Sequence, residues 1–306
     1  MKSNNQAVAY AGIAVLSWST IATALKIALK HQTHFEMLLV ASSTALLFFI
    51  LLLTIQKKWN LVTQLSRKQW SFFMGIGLLN PVAYYLALFK AYDLLPAQIA
   101  QPINYAWPIV LLILLAVFAH QPIPARKYIG MFISLGGVIL ITMGSSQGGK
   151  TVSAEGIILA ALSAVLWASY WLISNQQRET DATVGLFMTF LFGTFYLILG
   201  AFIIGIHTFT LPGLLSAMYV GCFEIAIPFI LFGLAMRKST NPALINQMCY
   251  LSPFLSLFLI TQVLGEQVAV STYIGLSLIV GGILYNQYFV KSIRRKSCKL
   301  SIRNIK

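Results

Sequence analysis

The 306 residues carry a formal net charge of +14, yet only 9% are charged and 58% are hydrophobic, for a mean hydropathy of +0.80. A soluble domain holds roughly 25% charged residues, so this balance excludes a soluble enzyme or binding module. The basic residues sit in short gaps between apolar runs and in positions 291–306, as topology signals rather than a nucleic-acid footprint. A spanning helix needs about 20 mostly apolar residues. Ten stretches meet that need in chain order: 7–29, 35–56, 70–91, 97–118, 127–144, 154–175, 183–205, 213–236, 242–262 and 272–290. The gaps contain breakers such as Gln121-Pro122-Ile123-Pro124, Gly148-Gly149-Lys150 and Asn241-Pro242, and none has room for an extramembrane domain. The runs are continuous rather than alternating, which argues against barrel strands. The expected fold is therefore an all-α integral membrane protein with ten transmembrane helices. The first run is too long for the apolar core of a secretory signal, which spans about 7–15 residues, and is expected to remain as a helix.

Cys222 and Cys249 lie inside apolar runs and Cys298 in the basic tail. That odd and scattered set argues against a disulfide framework. Most lysines and arginines fall on one side if the N-terminus is inside: Lys2, Lys57, Lys58, Arg67, Lys68, Arg126, Lys127, Arg178, Arg237, Lys238 and the tail from Lys291 to Lys306. The cationic bias predicts a multi-pass protein of the inner or plasma membrane with both termini cytoplasmic.

The chain also repeats itself. At a constant offset and without a gap, Tyr105 matches Tyr250, Pro108 matches Pro253, Tyr128-Ile129-Gly130 match Tyr273-Ile274-Gly275, and Gly136-Gly137 match Gly281-Gly282. Near that offset, Asn80 matches Glu224 and Trp18 matches Trp167. Five spans per repeat is an odd number, so the halves are expected in opposite orientations, an architecture of secondary transporters with a binding site at the midplane. The expected units are 7–144 and 154–290, followed by the basic tail 291–306.

These residues resemble the drug/metabolite transporter superfamily and its EamA-type exporters. Paired glycines near the ends of the fifth and tenth helices are typical of that family. Asn104-Tyr105-Ala106-Trp107-Pro108, and Trp167-Ala168-Ser169-Tyr170 followed by Asn175, are similar to motifs of its aromatic amino-acid exporter branch. Many EamA proteins carry an arginine in the second helix; here the helix reads Val40-Ala41-Ser42-Ser43, as the aromatic branch also lacks it. The resemblance implies export of small metabolites from the cytoplasm through a central cavity.

Polar groups in hydrocarbon are costly, which makes each one a functional candidate. Gln101, Asn104, Tyr105 and Pro108 share one face at i, i+3, i+4, i+7 spacing, and Asn246, Cys249, Tyr250 and Pro253 repeat it. Such amides also serve simply to join helices. Glu224 is the one acidic residue deep in a span, where low-dielectric surroundings penalise its charged form. It is a candidate proton carrier or partner for a substrate ammonium; the plainer role is a protonated carboxyl bonded to a neighbouring helix. Trp18, Asn80, Tyr84, Trp167 and Tyr170 complete the candidate substrate site, with aromatic packing the plainer role for the rings. Pro108 and Pro253 are candidate hinges, though a static bend accounts for them equally. Lys26 and Lys30 close the first helix and are expected to reach the interface, with Lys26 alternatively meeting a carboxylate that leaves the cavity. No metal, cofactor or nucleic acid is expected. The expected partners are a small-molecule substrate and the lipid bilayer, where the basic tail meets anionic lipid. Histidines at span ends and the lack of clustered metal ligands or a phosphate-binding loop disfavour an enzyme or an ATP-driven pump.

Overall fold

The computed structural model describes residues 2–118, 125–144, 152–174, 179–207, 209–240, 245 and 248–303, with side chains described between positions 5 and 286 except at 142 and 144. Among the described residues the elements are all helical. In chain order they are α1 (Lys2–Ala28), α2 (His34–Ile55), the short α3 (Trp59–Thr63), α4 (Arg67–Leu94), α5 (Ala97–Asn104), α6 (Trp107–Phe118), α7 (Ala125–Gly144), α8 (Ala154–Ser174), α9 (Ala182–Ile204), α10 (Leu211–Lys238), α11 (Leu251–Leu264) and α12 (Val270–Arg303).

Among the described residues, seven helical stretches are long and apolar enough to cross a bilayer: Asn5–Ala28, His34–Ile55, Arg67–Leu94, Ala97–Phe118, Ala154–Ser174, Ala182–Ile204 and Leu211–Lys238. Two shorter apolar stretches are Leu251–Leu264 and Val270–Asn286. The stretch expected at 127–144 is a 20-residue helix, whose first turn carries Arg126 and Lys127. Of the expected 242–262 span, the described helix starts at Leu251. The last helix runs on past its apolar part into the basic segment.

Helix starts follow ordinary capping chemistry. Thr33 and Ser66 form reciprocal capping boxes with Glu36 and Gln69, which satisfy otherwise unpaired N–H groups. Asp181 caps α9 by accepting from the amides of Thr183 and Val184 and takes an ion pair from Lys58 at 2.8 Å.

The helices are tied by small residues and hydroxyls rather than by apolar contrast, which lipid cannot supply. α7 packs along α12, α2 along α9, α1 along α10 and α11, and α8 along α4 and α6. A Cβ at Gly137 would meet the carbonyl oxygen of Gly275, and one at Gly275 that of Gly137. Gly130 and Gly282 are related in the same reciprocal way. The two pairs run in opposite sequence directions, so α7 and α12 cross antiparallel. Their seam is self-complementary, each helix offering the same glycine pattern to the other, as at a two-fold interface. Gly136 and Gly281 face open space instead, so one glycine of each expected doublet makes the close approach. Ser134 Oγ reinforces the seam by donating to the Ile279 carbonyl at 3.0 Å. Ser42 and Thr194 hydroxyls join α2 to α9 at 2.8 Å.

Irregular stretches interrupt the described helices. α4 loses helical geometry at Asn80 (φ −141°, ψ 122°), just before Pro81. α10 is wound wider over Gly221–Ala226, just before Pro228. The expected continuous face over 97–118 is interrupted at Tyr105-Ala106, and the matching turn occurs at Cys249-Tyr250. Pro108 and Pro253 therefore fall in the first turn of a new helical segment, where a missing N–H costs nothing.

Candidate functional site

The two irregular centres, Asn80 on α4 and Glu224 on α10, are the positions that the repeat aligns. Around them lies a polar and aromatic group drawn from α1, α4, α5, α8 and α10. Pro228 has no N–H to offer the carbonyl four residues earlier, which is that of Glu224. Trp18 supplies the donor: its indole N–H reaches the Glu224 carbonyl at 3.1 Å. The Glu224 side chain takes the Tyr85 hydroxyl on Oε1 at 3.3 Å. Glu224 is half-buried, with both partners on neighbouring helices.

Beside it stands a column of rings. Trp167 stacks on Tyr84 with centroids 4.7 Å apart and on Tyr170 at 5.4 Å, and Phe229 leans on it at 5.8 Å. Tyr84 also meets Tyr85 at 4.6 Å, which joins the column to the Glu224 carboxyl. Tyr84 further faces the Asn104 amide, whose Nδ2 donates to Ser163 Oγ at 2.9 Å. The Tyr170 hydroxyl faces the fully buried Asn80, whose side-chain atoms find no well-formed hydrogen bond among the described residues. Tyr105 faces Ser252 on α11.

Trp18, Asn80, Tyr84, Asn104, Trp167, Tyr170 and Glu224 thus converge. Gln101 is buried one turn before Asn104, and its Oε1 has no hydrogen-bond partner among the described residues. Tyr250 is buried at the N-cap of α11. Asn246 lies outside the described residues. Sequence reasoning missed Tyr85, which bonds the Glu224 side chain; its signal was only its place beside Tyr84. It also missed Glu36, a second carboxyl buried at 4% exposure. Glu36 accepts the backbone N–H of His207 at 2.8 Å and faces its ring, joining the start of α2 to the loop after α9.

Two clefts open at opposite ends of the bundle. One of about 590 Å³ is lined by Gln64, Gln69, Glu179, Thr180, Asp181 and Arg237, among others, where α2 ends and α9 starts. The other, of about 250 Å³, is lined by Lys26, Leu29, Lys30, Asp93, Leu264 and Glu266, where α1 ends.

The model of the EamA-like transporter family matches the chain twice, over residues 5–143 and 154–287. The chain belongs to the EamA-like transporter family. This EamA-like protein also shares its fold with solved structures. One, described only as the crystal structure of a protein, superposes at a TM-score of 0.68 over 94% of this chain and 99% of its own, at 19% identity. No curated protein sequence matches the chain. Membership places this EamA-like chain among multi-span membrane transporters of small molecules, and the converging group lies where its two family segments meet.

Proposed function

We propose that this EamA-like protein is a secondary transporter that exports small metabolites from the cytoplasm by alternating access, amino acids foremost and aromatic ones first. The units 7–144 and 154–290 act as the two oppositely inserted repeats, in the plasma membrane, with the tail 291–306 on the cytoplasmic lipid surface. The observation that carries this reading is the Tyr84–Trp167–Tyr170 column beside Glu224, at the broken centres of α4 and α10. Ring faces suit an aromatic side chain, each pair adding about 0.5–1.5 kcal/mol beyond area burial. Buried amides at Asn80, Gln101 and Asn104 suit a zwitterion without imposing net charge. Support for oppositely inserted halves comes from the antiparallel, reciprocal glycine seam.

A second reading draws on the same carboxyl. Glu224 among tryptophan and tyrosine faces also suits an organic cation, which aromatic rings attract. Counterflow in proteoliposomes preloaded with phenylalanine, leucine or a cationic dye separates the two. Labelled phenylalanine entering only phenylalanine-loaded vesicles is the expected result. Exchange of the dye alone assigns the site to cations, and no exchange of any of the three overturns the amino-acid assignment in favour of another metabolite class.

A further inference from the structure

The end of the bundle where α1 stops holds an arrangement that the central site does not use. α4 ends at Leu94 and Pro96 follows, so its last carbonyls lack helical partners and form the negative end of the helix dipole. Lys26, in the last turn of α1, donates to two of these oxygens: that of Tyr92 at 2.8 Å and that of Leu95 at 2.9 Å. The far side of the same α4–α5 junction is held by the α11–α12 connection. Gln98 Nε2 donates to the Gln267 carbonyl at 3.0 Å, and Gln98 Oε1 accepts from the Ala269 amide at 3.3 Å. The Ala97 amide donates to Glu266 Oε1 at 3.4 Å. Three elements, α1, the α4–α5 junction and the α11–α12 connection, are therefore joined at this end.

The cavity of about 250 Å³ opens beside this junction. It lies below the roughly 300–1,000 Å³ of a drug-sized pocket, so it suits one small polar solute. Its charged lining comes from every element packed there: Lys26 and Lys30 from α1, Asp93 from α4, and Glu266 from the α11–α12 connection. Asp93 is paired with Lys90 at 2.9 Å. Glu266 Oε2 is buried and has no hydrogen-bond partner among the described residues. In the repeat register Glu266 matches Gln121 and Lys26 matches Asn175, so the sequence does not repeat these two charges in the other half.

We propose that Lys26 is a latch which a ligand carboxylate displaces, and that this cavity is a second subsite for zwitterions on their way out. The inference rests on the exporter reading. The two carbonyl bonds of Lys26 are charge-assisted on the donor side alone, whereas a ligand carboxylate brings a full opposite charge and adds ion-pair attraction. A carboxylate in the cavity takes the ammonium of Lys26 from Tyr92 and Leu95 and releases α4 from α1. The ligand's own ammonium meets Glu266 Oε2. The subsite thus selects solutes with both charges and opens only when one is present.

Thr23 lies one turn deeper on α1, with a buried hydroxyl that has no hydrogen-bond partner among the described residues. Thr23→Cys, in full-length protein with Cys222, Cys249 and Cys298 changed to Ser, reports opening through its reaction with a membrane-impermeant thiol reagent. The reagent is added on the face opposite the C-terminal tail. Labelling is expected to be slow at rest and to rise with L-phenylalanine but not with phenethylamine, which lacks the carboxylate. Lys26→Met is expected to raise the resting rate by at least about tenfold, as removal of a closed-state bias should, and to abolish the response to phenylalanine. Lys26→Arg, which keeps the donors, restores slow labelling and so separates the latch from misfolding. Equal rates in Lys26→Met and its parent overturn the latch. Equal acceleration by phenethylamine, or none by phenylalanine, overturns the carboxylate subsite. Counterflow on the same vesicles reports the exporter reading separately, since resting label rates need no transport.

Discussion

Pro228 and Glu224 show how a single missing donor shapes the centre of this protein. The orphaned carbonyl of Glu224 is satisfied from another helix, by Trp18, which fixes α10 against α1 where the carboxyl projects. At the matching position of the other half, Trp167 has entered a ring column, so related residues serve different ends. Glu224 was legible in the sequence as a lone deep carboxyl; its partner Tyr85 was not, since nothing in an aromatic doublet says which hydroxyl turns inward. Glu36 escaped because its place at a helix start reads as a cap, which it also is. Lys26 read as an interfacial cation because sequence spacing cannot show that the last carbonyls of another helix lie within its reach. Glu224→Gln preserves shape and an acceptor for Tyr85 but removes the titration. If Glu224 carries a proton, the substitution abolishes the pH dependence of transport and leaves substrate exchange in place. Counterflow and net efflux compared from mildly acid to mildly alkaline pH, at equal expression, decide it; an unchanged pH profile excludes proton carriage by this group.

Among the helices, composition and run length made most of the spans readable, because hydrocarbon thickness dictates length. The interruptions were less readable. Pro81, Pro108, Pro228 and Pro253 mark their neighbourhoods, yet the breaks occur at Asn80 and at Tyr105-Ala106, before the prolines rather than on them. The residue preceding a proline is pushed out of the helical region, which accounts for Asn80. The glycine doublets were legible as close-packing positions, but which member faces inward depends on helix rotation. Gly137→Ala places a methyl on the Gly275 carbonyl, whereas Gly136→Ala meets nothing within 4 Å. Overpacking a tight contact costs about 1–3 kcal/mol, so Gly137→Ala is expected to lower the thermal midpoint in detergent and Gly136→Ala to leave it unchanged. Equal midpoints would show that the seam yields freely. The cap of α9 gives a pH test outside the spans. Burial pushes the Asp181 carboxyl up, but the Lys58 hydrogen bond and the amides of Val184 and Thr183 outweigh it and hold the group below its ordinary value. A depressed carboxylate stabilises the fold at neutral pH, and that contribution fades as pH falls through the folded-state value. Asp181→Ala removes the cap, typically worth about 1 kcal/mol. Its deficit in thermal midpoint is therefore expected at neutral pH and to shrink in acid; a constant deficit would assign the effect to packing alone.

At the scale of the molecule, charge separates the two ends of the bundle. Where α1 starts, Lys238 reaches Gln6 at 3.1 Å and lies over the Tyr10 ring. At the same end Lys58 meets Asp181, Gln69 donates to Thr180, and Arg67, Lys68 and Arg237 are close by in the chain. At the other end Lys26 is spent on carbonyls and Lys90 on Asp93, with Glu266 adjoining them. The basic excess thus gathers at the end bearing the start of α1 and the basic end of α12. Lysine and arginine beside span ends resist transfer across the membrane, so that end is expected in the cytoplasm. A C-terminal fluorescent-protein fusion should be bright and a C-terminal alkaline phosphatase fusion inactive, while phosphatase fused after Lys30 should be active. The reverse pattern would invert the molecule, turn the Lys26 cavity toward the cytoplasm, and convert the proposed exit into an entrance. Two matching cytoplasmic termini require an even number of crossings, so the same fusions bear on the span count. An active phosphatase at the C-terminus together with a cytoplasmic N-terminus would leave an odd number, and one of the shorter apolar stretches, Leu251–Leu264 or Val270–Asn286, would then be the first to be reassigned as a segment that enters the bilayer without crossing it.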